Sequence, residues 1–219
     1  DQEAILYSRV TDYVREEFNR AETLSNNGRR GTVGFALTIL QRRLASSPEA
    51  IYQSLKRRCQ RLEKRIREEQ LLKRGKNPEV DFSDILDQED IDDDLENRDG
   101  MERETTMEEV VDQATAARTI TELEIEVSQL KRLVDLANSV RRSGKDRKWE
   151  QFSCLLQDRA EMFDQGGFRR KIVVFTEHRD TLNYLEEKIA SLLGNNQAVV
   201  TIHGAMGRED RKKAEENFK

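Results

Sequence analysis

The chain is poor in the residues that build stapled or metal-held folds, with two cysteines, two prolines and two histidines among 219 residues. Cys59 and Cys154 lie far apart and outside any metal-ligand spacing. That excludes a disulfide framework or a zinc site and leaves both as small hydrophobes. His178 and His203 are too few for a proton-transfer site, and no serine or cysteine nucleophile has a nearby partner. No catalytic residue and no metal ligand is expected. A phosphate loop of the form GxxxxGK[ST] is absent, and no acidic box follows a strand to hold magnesium. No run of about 18 apolar residues could span a bilayer, and the N-terminus lacks the basic-then-apolar order of a signal peptide. The expectation is a cytoplasmic protein without a membrane partner.

What the chain has is charge. Charged residues make up 37% and apolar residues 36%, with a mean hydropathy of -0.84. This suits long helices with much wetted surface better than one large core. The net charge of -5 averages over opposed segments. From Leu40 to Lys76, twelve basic residues face four acids; from Asp81 to Glu104, twelve acids face two bases. The second run hides the first in the total.

Helical periodicity organises the first two thirds. Asp1 to Leu24 places Ile5, Leu6, Val10, Tyr13, Val14 and Phe18 on one face, with a stop expected near Asn26, Asn27 and Gly28. Thr32 to Ser46 is apolar around much of its circumference, the pattern of a buried helix. Ser47 followed by Pro48 starts a third helix: serine can cap free amides, and proline loses a bond that would be unmade there anyway. Ile51, Leu55, Cys59, Leu62 and Ile66 line one face of it. Arg57, Arg58, Arg61, Lys64 and Arg65 then form a basic face that either meets phosphates or is simply solvated, its long stems covering apolar neighbours. Charge runs usually solvate, so the second reading is preferred.

Residues 75–106 read as an acidic linker or insertion, low in large apolar side chains. Met107 to Arg142 is the most regular stretch. Ile120, Leu123, Val127, Leu130, Val134 and Ala137 make a heptad seam, which needs a partner helix. The third helix, folding back as an antiparallel arm, is preferred over a homodimeric coiled coil, because a same-chain partner has less entropy to lose.

After Ser143 and Gly144 the character changes. Ile172 to Phe175 (IVVF) reads as a buried strand, Leu182 to Leu193 as an amphipathic helix and Ala198 to Ile202 (AVVTI) as a second buried strand. Strand, helix, strand at this spacing predicts a parallel crossover with function at the carboxyl ends of the strands, at Thr176 to Arg179 and at His203-Gly204.

The order Phe175-Thr176, a leucine-spaced helix, His203-Gly204, then Arg211 and Phe218 resembles motif IV of superfamily-two helicases and the segment after it. Lys148-Trp149 with Leu155-Leu156 is similar to the lead-in helix of Swi/Snf-type second lobes. Leu6 to Phe18 is similar to the bridge before that lobe in bacterial Swi/Snf-like ATPases. The resemblance covers roughly a third of the chain.

The resemblance implies an α/β fold: a mainly helical region with a coiled-coil-like arm, followed by a partial RecA-like parallel α/β lobe. The divisions would be a helical region over 1–74, the acidic segment over 75–106, the heptad helix over 107–142 and the partial second lobe over 145–219. That lobe would be truncated before motifs V and VI. The function implied is part of an ATP-dependent DNA helicase or translocase. DNA, duplex or single strand, and the missing first RecA-like lobe would be its partners. ATP and magnesium would be bound by the parent motor and not by this part, which alone would be inactive.

Thr176 would lie near a phosphate of the tracked strand and Arg179 would be a second contact. His203-Gly204 would form the turn where backbone meets backbone, and Arg211 would sit on the helix behind it. Gly207 stands where the family more often has a serine or threonine cap. By their residue types alone, His203 could be a plain turn residue, Arg211 could pair with Glu215, and Thr176 could cap the next helix. The alternative function is a non-enzymatic helical interaction module, with a protein partner or self-association through the heptad helix. An unrelated nucleotide-binding α/β domain is disfavoured, since no glycine-rich loop follows either strand.

Overall fold

The computed structural model describes residues 1–72 and 100–219; the acidic segment falls largely outside the described residues. Among them are eight α-helices: α1 (Gln2–Glu22), α2 (Asn27–Ser46), α3 (Pro48–Leu72), α4 (Gly100–Gln113), α5 (Ile120–Ser143), α6 (Arg147–Asp158), α7 (Arg179–Leu193) and α8 (Arg208–Phe218).

The helix starts have local causes. Asp1 caps α1, and the Asn26 side chain accepts from Arg29 N to cap α2. The asparagines read as a stop are thus the start of the next helix. Ser47 Oγ accepts from Ala50 N at 3.1 Å, and Pro48 occupies the first position of α3. The stretch 107–142 is divided between two helices. Thr119 caps α5, and Gly144, at φ 69°, ends it in the left-handed region that favours glycine.

The helices α1 to α5 form one bundle. The seam of α5 lies along α3 and runs antiparallel to it, since Glu49 meets Arg141 (3.2 Å), Glu63 meets Lys131 (2.7 Å) and Gln70 meets Glu124 (3.4 Å). Leu123, Val127, Leu130, Ala137 and Val140 are buried against Ile51, Leu55, Cys59 and Leu62 in a core that α1 and α2 complete with Leu6, Val10, Val33, Leu37 and Leu40. Between α4 and α5 the chain crosses this core at Ala114 to Ala117, where backbone carbonyls cannot reach water. The Arg29 guanidinium donates to Thr115 O at 2.9 Å and to Ala117 O at 2.5 Å, satisfying them.

The expected partial RecA-like parallel α/β lobe is not present. Among the described residues there is no sheet; the one β feature is an isolated antiparallel bridge between Phe163 and Arg169. Residues 172–175 and 199–202 belong to no helix or strand, and Val173, Val174 and Phe175 are exposed. The physical reason lies in the ladder. A strand is stable only when its amide and carbonyl groups find a neighbour, and two parallel strands alone offer few bonds and need cover on both faces. Here α7 forms by its own periodicity and capping glycine, while the flanking apolar runs remain unpaired. The fold is a helical bundle with a helical C-terminal limb.

Candidate nucleic-acid interface

The limb begins at Asp146, whose side chain accepts from Lys148 N and Trp149 N, both at 3.0 Å, to cap α6. Its other oxygen accepts from the Tyr184 hydroxyl of α7 at 2.9 Å. One buried carboxylate thus fixes α6 against α7, and burial together with the Asp146 charge pushes the Tyr184 phenol well above its usual range. After α6, Gly167 (φ 79°) and two bonds from Gly166 N and Phe168 N to Asp164 Oδ1 form a tight turn, with the Arg169 guanidinium over the Phe163 ring.

The N-terminal turn of α7 docks on the junction of α2 and α3. Thr181 Oγ1 lies 2.7 Å from Ser46 Oγ and 2.9 Å from Ser47 Oγ; Arg57 donates to Asp180 at 3.1 Å; and Arg42 pairs with Glu177 at 3.2 Å. A cleft of about 490 Å³ opens beside this contact, lined by Arg42, Ser46, Lys148, Trp149, Phe175 and Thr176 among others. Lys148 Nζ is bonded to the Ala45 carbonyl, and Lys188 lies 5.8 Å over Trp149. The cleft therefore joins aromatic walls to a rim of mixed charge, in which Arg42 and Lys148 stand beside Asp146 and Glu177.

The residues expected from sequence fall into separate groups. Thr176 lines the cleft but is not a helix cap; that position belongs to His178, which makes no side-chain capping bond. Burial lowers the His178 pKa, with Arg43 adding to the effect and Glu177 opposing it. Arg179 is exposed at the start of α7. Arg211 reaches back from α8 to Gly204 O (2.9 Å) and His203 O (3.5 Å), so these three residues are together in one turn, and Arg211 does not use Glu215. Gly207 caps α8 without a side chain. Among the described residues, no hydrogen bond joins Thr176 or Arg179 to the His203, Gly204 and Arg211 turn.

The five basic residues of α3 do not share one surface. Arg58 is buried, donating to Tyr13 Oη (2.9 Å), Val111 O (2.7 Å) and Glu126 (2.8 Å). Arg57 is bound by Glu108, Asp112 and Asp180. Arg61 pairs with Glu109, Lys64 with Glu68, and Arg65 is engaged as well. Acidic side chains of this same chain thus meet most of that charge.

Sequence reasoning missed the cleft residues Arg42, Ser46 and Thr181, because they come from elements distant in the chain. It also missed the buried Arg58–Glu126 pair, for which a signal exists. Arg58 lies three residues after Leu55 and four before Leu62; Glu126 lies three after Leu123 and four before Leu130. Both hold core positions of paired helices.

Comparison with models of known protein families, with curated proteins and with solved structures returned no match. No cluster of three or more metal-ligating side chains occurs among the described residues, and the sequence has no glycine-rich loop to receive nucleotide phosphates. No helix among the described residues is long and apolar enough to cross a membrane.

Proposed function

We propose that the chain is part of a cytoplasmic, ATP-dependent DNA helicase or translocase of Swi/Snf-like type, in which the limb contacts the nucleic-acid track and the bundle carries the limb. The reading is carried by the ordered residues Phe175-Thr176, Arg179, His203-Gly204 and Arg211, together with the tie of Arg211 to the His203-Gly204 turn. An exposed arginine at a helix start and a turn braced by a second arginine are suited to meeting a phosphate backbone, which positions a protein without reading sequence. The limb and not α3 is the contacting surface in this reading, because the α3 cations already face carboxylates. The nucleotide chemistry belongs to other parts of the motor.

Anisotropy of labelled duplex and single-stranded DNA, titrated with the purified chain at several salt concentrations, tests the proposal. Binding should weaken steeply with salt, and Arg179→Glu should weaken it further while Arg61→Glu changes it little. Absence of binding at low salt, or equal loss in both variants, refutes the limb as the contact. ATP turnover by the chain itself on addition of DNA would overturn the placement of the nucleotide site elsewhere. The interaction-module reading has one observation behind it, the exposed apolar run at residues 173–175. The heptad seam does not serve it, since α3 already covers that seam.

A further inference from the structure

Among the described residues, Lys171 to Glu177 (KIVVFTE) carries three consecutive exposed large hydrophobics. Val173 is 64% exposed, Val174 45% and Phe175 91%. Such a contiguous apolar stretch is uncommon on a monomer and marks an interaction site. No backbone-to-backbone hydrogen bond involves residues 171–177 among the described residues, so a row of amides and carbonyls is open to pairing. The segment contains no proline or glycine, is rich in β-branched residues and carries one positive and one negative end.

Those ends make the segment complementary to itself. In an antiparallel pair with a copy of the same segment, centred at Val174, Lys171 stands opposite Glu177 of the second copy, and Glu177 opposite its Lys171. Ile172 meets Thr176, and Val173 meets Phe175. Side chains alternate across a strand, so the odd positions form one face with an ion pair at each end and two valine-phenylalanine pairs between them. The even positions form the other face, with Val174 opposite itself. A parallel pairing in register would instead set lysine against lysine and glutamate against glutamate. Charge therefore selects the antiparallel register as well as the partner.

We propose that residues 171–177 are a self-pairing edge through which two copies of this chain associate as a two-fold antiparallel ladder. Each isologous contact of this kind is made twice by symmetry. The exchange required is small. Glu177 leaves an exposed pair with Arg42, both side chains being more than half exposed, and Lys171 leaves the carbonyls of Phe218 and Lys219. Neither partner lies in the bundle core, and pairs so exposed contribute little.

Sedimentation velocity of the chain over a range of concentrations reads the association directly. The wild type should form a dimer. Lys171→Glu and Glu177→Lys should each weaken it by about tenfold or more, since both ends become repulsive. The double exchange Lys171→Glu with Glu177→Lys should restore it, and an equimolar mixture of the two single variants should form a heterodimer. Val174→Pro, which removes a central amide, should leave a monomer whose circular dichroism keeps the helical signal of the bundle. A wild-type monomer at every concentration, a double exchange that fails to restore the dimer, or a dimer surviving Val174→Pro would each overturn the proposal. Loss of the dimer in Arg42→Ala would do so too, by showing that Glu177 acts through its own chain.

Discussion

Replacing Glu17 by glutamine should stabilise the bundle at alkaline pH and change it little in acid. Glu17 is buried on α1; one oxygen accepts from Arg20 at 2.7 Å, while Oε2 has no hydrogen-bond partner. The groups facing it are Tyr13 and Arg20 from its own helix, Arg58 from α3 and Glu126 from α5. Burial raises its carboxyl from the ordinary 4.5 to about 7, Glu126 adds to the rise, and Arg20 and Arg58 oppose it.

The direction of the pH effect follows from these values. Below about 4.5 the proton is bound in folded and unfolded chains alike. Between there and about 7 only the folded chain holds it, so stability falls as pH rises, by about 1.4 kcal/mol per unit. Above about 7 the loss is complete, at about 3 kcal/mol. Glutamine has no proton to lose, so Glu17→Gln should gain about 2 to 3 kcal/mol at alkaline pH and under about 1 kcal/mol in mild acid.

Urea unfolding followed by circular dichroism at pH 5 and pH 8 measures this. With a slope of about 2 kcal/mol/M, the midpoint should move up by about 1 M at the higher pH. Asp112, raised to about 6 by burial, also loses stability for the fold as pH rises through its window, whereas His178, lowered by burial, gains it. Both groups are present in wild type and variant, so they cancel in the difference. An unchanged midpoint at pH 8, or an equal gain at pH 5, would refute the reasoning.

Two further perturbations probe the bundle and its limb. Arg58→Met leaves the Glu126 carboxylate buried with hydrogen bonds but without its counter-charge, and should cost about 3 to 5 kcal/mol; adding Glu126→Leu should recover much of that, which urea titration of the single and double variants would show. Asp180→Asn removes a partly exposed charge from Arg57 and should cost under about 1 kcal/mol globally. Hydrogen exchange should quicken in the first turns of α7 and stay constant in α5; protection lost equally in both would mean the limb and bundle unfold as one unit.

The helices were legible because their signals are local. Ser47-Pro48 marks the start of α3, and the seam from Leu123 to Ala137 supplies a buried stripe; the break at 114–119 that divides the 107–142 stretch was not read. The antiparallel pairing with α3 was also within reach, since a same-chain partner is entropically favoured. Misreading began where a pattern needed a neighbour. The IVVF and AVVTI runs have strand composition, but composition cannot provide the second ladder, and in its absence neither forms a strand. The candidate site was partly legible in the same sense. The strand-end pattern selects Thr176 and Arg179, and the helicase resemblance adds Arg211, while the cleft beside Thr176 depends on Arg42 and Ser46, more than a hundred residues earlier in the chain.

By itself, the sequence determined that the first two thirds are helical, that a helix starts at Ser47-Pro48 and that a seam at 120–137 requires a partner, because these follow from spacing and capping within a few residues. Tertiary structure decided the fate of the charges. Arg57 and Arg58 are adjacent and chemically identical, yet one meets three carboxylates around the limb contact and the other is sealed in the core with Glu126 and Tyr13. A difference of one position rotates a side chain by about 100° around a helix of 3.6 residues per turn, and only the packing of α1 and α5 against α3 determines which direction is interior.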